Sequence, residues 1–192
     1  MRLRATGAVL ALLLGAGLTG CGSGSGATGA DRPVVELARA RTELQTVLDG
    51  TSTALSPALR YADDAYRATP HEDGLSREND GTAQLTLRRY VLTKVAAAKQ
   101  PRLLEQARAY WTAQGYTVTA DGSRYEAGAR TPGGTGITLT IGAPGNVTLV
   151  ATARVKDPGS TEPFGAAPSP LPTGADGAPD TMPRYEDPQW SS

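Results

Sequence analysis

Between residues 116 and 155 four short runs of alternating apolar and polar side chains are separated by segments suited to reversing the chain. The runs cover residues 116–120, 124–130, 137–142 and 147–155. The separators are Asp121-Gly122, Thr131-Pro132-Gly133-Gly134 and Ala143-Pro144-Gly145-Asn146. A period of two sends successive side chains to opposite faces of a strand, and Gly, Pro, Asn and Asp supply the dihedral angles of tight turns. The pattern dictates an antiparallel meander. Ile137, Leu139 and Ile141 alternate with Thr138 and Thr140, while Val147, Leu149, Ala151, Ala153 and Val155 alternate with Thr148, Thr152 and Arg154. One face of the sheet is therefore apolar and needs a cover, and the other is built of Thr and Arg.

Two helices are written for that cover. Residues 101–114 carry an apolar stripe of Leu103, Leu104, Ala107, Tyr110 and Trp111, with Pro101 at the start and Gly115 at the end. Residues 32–49 place Leu37, Ala40, Leu44, Val47 and Leu48 at helical spacing, with Glu36, Arg39 and Glu43 pointing away. Asp31 suits the cap of this helix, Pro33 its first turn and Asp49-Gly50 its stop. Residues 84–95 read as a long central strand, with Leu85, Leu87, Val91 and Val95 on one alternation and Tyr90 and Leu92 on the other. Residues 58–68 fit a short helix or an irregular strand, and residues 71–81, HEDGLSRENDG, read as a polar loop. The expected fold is α+β: an antiparallel meander sheet of about 4–5 strands with one face covered by two helices, occupying residues 31–156, plus disordered termini.

The ends of the chain differ in character. Arg2 and Arg4 precede thirteen uncharged, mostly apolar residues, too few to span a bilayer comfortably and arranged as a secretory signal over residues 1–20. Leu18-Thr19-Gly20-Cys21 resembles the lipobox of bacterial lipoproteins. That resemblance implies that the Cys21 thiol, the one thiol in the chain, receives a diacylglyceryl group and that the leader is cut before it. Residues 21–30, which continue as GSGSGATGA, then form a flexible lipid tether, and two acyl chains hold far better than one. Residues 157–192 hold eight prolines and four glycines and are expected to be a disordered acidic tail, with Phe164, Tyr185 and Trp190 its few adhesive side chains. The segments YVLTKV, LLEQARAYWTAQGYTV and TPGGTGITLTIGAPGNVTLVA, within residues 85–153, are similar to a module of small secreted or lipid-anchored actinobacterial proteins of unassigned function. The similarity implies the order strand, helix, meander and carries over no catalytic or binding residue.

Charge and motifs narrow the chemistry. Nineteen basic residues balance nineteen acidic ones, which argues against a chain that coats nucleic acid. One Cys and one His exclude the usual zinc ligand sets, and the acids around His71 lack the spacing of a calcium loop, so no metal or cofactor is expected. Nucleophile elbow, phosphate loop and metalloprotease motifs are missing, and Gly133-Gly134-Thr135-Gly136 reads as a hairpin loop. Tyr116 and Tyr125, with neighbouring threonines, are the candidate ligand-binding residues, lining a sheet-edge groove for an apolar molecule or a peptide strand. The expectation is a membrane-anchored surface lipoprotein on the extracytoplasmic face, acting as a non-enzymatic binding module. Its partners would be membrane lipid through acylated Cys21 and an envelope protein, polymer or small ligand. The alternative is an envelope hydrolase using dispersed carboxylates.

Overall fold

A computed structural model describes residues 32–74, 76, 78–119, 123–143, 145–160 and 166–192. The leader, Cys21 and the tether expected over residues 1–30 lie outside the described residues, as do Asp31, Asp121-Gly122 and Phe164. In chain order the elements are β1 (Val34–Val35), α1 (Leu37–Ala54), β2 (Tyr61–Asp63), β3 (Arg67–Asp73), β4 (Glu78–Val91), α2 (Gln100–Ala113), β5 (Thr117–Thr119), β6 (Glu126–Arg130), β7 (Gly136–Ile141) and β8 (Val147–Lys156). They form one sheet in the order β2-β4-β8-β7-β6-β5, with β3 beside β4 and β1 beside β8. All pairings are antiparallel except β1 with β8.

The α+β class and the antiparallel sheet match the sequence pattern, but the described sheet has eight strands instead of four or five. Three of the additional strands come from segments whose local signal is weak. Val34-Val35 leaves the helix expected there and pairs parallel with Arg154 and Val155, a state that suits β-branched side chains. Residues 58–68 resolve into β2 and the start of β3. The polar loop expected at residues 71–81 is largely a hairpin, in which Glu72 faces Asn79 and Asp73 faces Glu78 beyond a register shift at Pro70/Glu72. Its acidic residues remain exposed, but Asp80 ties the hairpin to the sheet, accepting from the Thr82 backbone and from Arg154 Nη2, each at 2.9 Å.

Helix α1 packs across β4 and β8, and α2 packs across β5, β6 and β7. Leu44 and Leu48 of α1, Leu103, Leu104 and Trp111 of α2, and Leu85, Leu87, Leu139 and Leu149 of the sheet all belong to one buried cluster. Each such buried side chain contributes about 1.5–3 kcal/mol. Trp111 Nε1 donates to Thr51 Oγ1 at 3.0 Å, and Thr51 Oγ1 donates to the Val47 carbonyl at 2.8 Å, so the polar atoms at the helix contact are satisfied. Gly50 does not stop α1, which continues to Ala54. A Cβ at Gly50 would collide with the Tyr110 hydroxyl, so glycine is needed for the close approach of the two helices.

Residues 166–192 are not the disordered tail that their composition suggests. They return to the domain as a strap: Asp63 N donates to the Ser169 carbonyl at 2.5 Å, Lys94 N to the Tyr185 carbonyl and Ala96 N to the Trp190 carbonyl, both at 2.8 Å. Trp190 is fully buried and donates through Nε1 to the Pro57 carbonyl at 2.8 Å. Arg60 lies 4.4 Å from the Tyr185 ring centroid and Arg102 lies 5.4 Å from that of Trp190. A segment rich in Pro and Gly cannot build a core of its own, but one indole suffices to dock it on a core already built.

Candidate functional site

An apolar groove of about 250 Å³ lies between α1 and the loop joining β6 to β7. Helix α1 contributes Thr42, Thr46 and Val47, the loop contributes Thr131, Gly133 and Thr135, and Tyr116, at the entry to β5, completes the lining. The loop is held in place by its own hydrogen bonds. Thr131 N donates to the Thr135 carbonyl at 2.9 Å, and Thr135 N donates to Thr131 Oγ1 at 3.1 Å. Gly134 has φ +90°, and a Cβ there would lie 2.8 Å from Pro33 Cδ, so this turn requires glycine for both conformation and space.

The groove offers a ligand contact surface but little acid–base chemistry. Thr46 Oγ1 donates to the Thr42 carbonyl at 2.8 Å and Thr42 Oγ1 to the Ala38 carbonyl at 3.3 Å, which commits both hydroxyls to the helix itself. Glu43 at the rim accepts from Arg39 Nε at 2.7 Å and from Thr135 Oγ1 at 3.1 Å. Burial, then the nearby Tyr110 hydroxyl, pushes the Tyr116 phenol above its ordinary value, so it stays protonated at neutral pH. The Tyr110 and Tyr116 rings meet edge to face at 6.4 Å.

The structure does not bring Tyr125 to this groove. Thr117 pairs with Arg130 and Thr119 with Gly128, so Tyr116 lies near the end of β6 and Tyr125 lies before its start. Continued by one residue, this register sets Tyr116 opposite residue 131, so at about 3.3 Å per residue the backbones of the two tyrosines are on the order of 20 Å apart along the strand. Tyr125 is exposed, its carbonyl accepts from Ile141 N at 2.7 Å, and the Arg124 guanidinium sits 4.7 Å from its ring centroid. A single groove containing both tyrosines, as the sequence suggested, is thus replaced by one containing Tyr116 alone.

A second constellation escaped the sequence reading. Arg89 is 1 % exposed on the helix-covered face of β4 and donates through Nε and Nη2 to both oxygens of Asp63, at 2.7 and 3.0 Å. Nη2 also reaches Asp49 Oδ1 at 2.8 Å, Nη1 reaches Ser52 Oγ at 3.0 Å, and the guanidinium lies 4.0 Å from the Tyr61 ring centroid. Burial works against the charge, but the hydrogen bonds and proximity of Asp63, then of Asp49, outweigh it and hold the Arg89 pKa above its ordinary value. The signal was present: Arg89 interrupts the alternation Leu85, Leu87, Val91 at an apolar position, which demands a buried acid. This arrangement locks β2, β4 and α1 together and leaves the two carboxylates engaged.

Among the described residues no group of three or more His, Cys, Asp or Glu side chains could hold a metal ion, and no helix is long and apolar enough to cross a membrane. His71 Nδ1 lies 2.9 Å from Asp80 Oδ2 in the β3–β4 hairpin, away from the groove. No protein-family model, curated protein or solved structure matches the chain.

Proposed function

We propose that the chain is a lipid-anchored binding module of the cell envelope, tethered through acylated Cys21 and taking one small apolar group in the groove beside Tyr116. The observation that carries the binding reading is the groove itself, whose walls come from two separate parts of the chain and whose threonine hydroxyls in α1 are already committed. Its volume of about 250 Å³ suits a single ring or a short alkyl segment. The engagement of four of the carboxylates also favours binding over hydrolysis by them. Asp63 and Asp49 are held by Arg89, Glu43 by Arg39 and Thr135, and Asp80 by Thr82 and Arg154. The anchor reading rests on Leu18-Thr19-Gly20-Cys21 and the short apolar run before it.

Two measurements test the two halves of the proposal. Titration of the protein with 1-octanol should shift the amide resonances of Tyr116, Thr131 and Thr135, and Thr46→Trp, which fills the groove, should abolish those shifts. Shifts spread evenly over the surface, or unchanged in the filled variant, would retire the groove. In cells, Cys21→Ser should move the protein from the membrane fraction to the soluble one; a mutant that stays membrane-bound ends the anchor reading.

A further inference from the structure

The uncovered face of the sheet contains a hollow of about 300 Å³, separated from the apolar groove by the sheet itself. Its floor is β4, through Gln84, Thr86 and Arg88, with Val150 of β8 opposite Arg88. Its wall is the segment from Asp64 into β3, where Arg67 stands opposite Thr86 and Thr69 opposite Gln84. The wall exists because the sheet edge is shared: β2 pairs with residues 89–91 and β3 with residues 78–86 of the same strand, and between them Asp64 N donates to the Arg88 carbonyl at 2.8 Å.

The charges of this hollow do not cancel. Asp64 is its one carboxylate, and it spends Oδ1 on Ala65 N at 2.8 Å and reaches Arg67 Nε only at 3.6 Å. Among the described residues Arg88 has no carboxylate partner, and its side chain makes a 3.4 Å contact from Nη1 to the Tyr90 hydroxyl. Two guanidiniums against one carboxylate leave one net positive charge, surrounded by the neutral hydrogen-bonding groups of Thr69, Thr86 and Gln84. Guanidinium forks fit the paired oxygens of a phosphate, and hydroxyl and amide groups fit the oxygens of a polyol.

We infer that this hollow binds a polyol phosphodiester, whose single negative charge matches the single uncompensated positive charge and whose hydroxyl-bearing arms match the threonines and Gln84. The site is independent of the Tyr116 groove and of acylation. The same chemistry occurs in a glycerophospholipid headgroup and in a soluble polyol-phosphate polymer, and the test separates the two.

The full chain carrying Cys21→Ser, so that no acyl group intervenes, is titrated with glycerophosphoglycerol and followed by amide resonances. Saturable shifts are expected at Thr69, Thr86 and Arg88. Arg88→Gln and Arg67→Gln should each weaken binding by about tenfold, the loss of one charge-assisted contact. Lys156→Gln, an exposed cation of the same face that stands opposite Thr82 outside the hollow, should leave it unchanged. Equal weakening by Lys156→Gln and Arg88→Gln, or no saturable shift at these three residues, overturns the assignment. Vesicles of phosphatidylglycerol with phosphatidylcholine, set against phosphatidylcholine alone, provide the second arm. Competition between glycerophosphoglycerol and the anionic vesicles supports the site with a lipid source; binding of the soluble diester without vesicle binding supports it with a polymer source.

Discussion

Replacing Trp190 with alanine tests whether the C-terminal strap is docked as a unit. The indole is fully buried, hydrogen-bonded to the Pro57 carbonyl at 2.8 Å and flanked by Arg102, whereas the other strap contacts are hydrogen bonds to the backbone of residues 63 and 92–94, the Arg60–Tyr185 ring contact and an exposed ion pair. An aromatic-to-alanine change in a packed site costs about 3–5 kcal/mol, and here it also leaves the Pro57 carbonyl without its donor. No other side chain of residues 166–192 is buried, so nothing else in the strap can offset that loss of apolar contact and its docking should be the equilibrium that shifts. The amides of Lys94 and Ala96 report on it directly, since their hydrogen-bond acceptors are Tyr185 and Trp190 of the strap. Their hydrogen-exchange protection should fall by about a hundredfold to several thousandfold, at tenfold per 1.4 kcal/mol. The amides of the β4–β8 ladder should keep theirs, because regions open with different local free energies. Unchanged protection at Lys94 and Ala96 would refute the docking role of Trp190. An equal loss throughout β4 and β8 would refute the separate strap.

Two further outcomes follow from the ion pairs. Asp63→Asn removes one partner of a buried bidentate pair, so Arg89 keeps its charge without full compensation; a loss of about 3–5 kcal/mol is expected in urea denaturation, and a change below about 1 kcal/mol would contradict the geometry. The Lys94 ammonium, through its hydrogen bond, holds the Glu186 carboxyl below the ordinary Glu range. A depressed folded-state pKa contributes stability above the ordinary value and loses it as pH falls through the depressed one, so exchange protection of the Lys94 amide should decrease toward acid pH. Glu186→Gln should remove that dependence, and a variant retaining it would assign the effect to another group.

Much of the covered sheet was legible locally. The stripe Leu103, Leu104, Ala107, Trp111 behind Pro101 marks α2 to within a residue, and the Thr alternation of β7 and β8 names the face that stays open. What escaped depends on contacts distant in sequence. Val34-Val35 reads as helix until β8 offers it a ladder, and Gly50 reads as a stop until Tyr110 approaches it. The acidic run at 71–81 reads as loop because Arg154, the partner of Asp80, lies 74 residues away. Trp190 gives no periodic signal at all, since a single residue makes the anchoring contact. Of the candidate site, Tyr116 was legible as an aromatic at a sheet edge. Its separation from Tyr125 was not, because that requires the β5–β6 register.

The way this sheet ends has a consequence for how the protein behaves in a crowd. An open sheet exposes unpaired amides and carbonyls at its margins, which recruit foreign strands into aggregates. Here one margin is β5, only three residues long. The other is divided between β2, bridged by the strap at Asp63 and Pro170, and β3, which carries Pro70, a register shift and the charged residues Arg67, Glu72 and Asp73. Short length, proline, irregularity, charge and a covering segment are each known deterrents to strand addition, and this chain uses all of them. Crowded at high local density, such a domain resists polymerising through its backbone, so recognition is left to its side-chain surfaces.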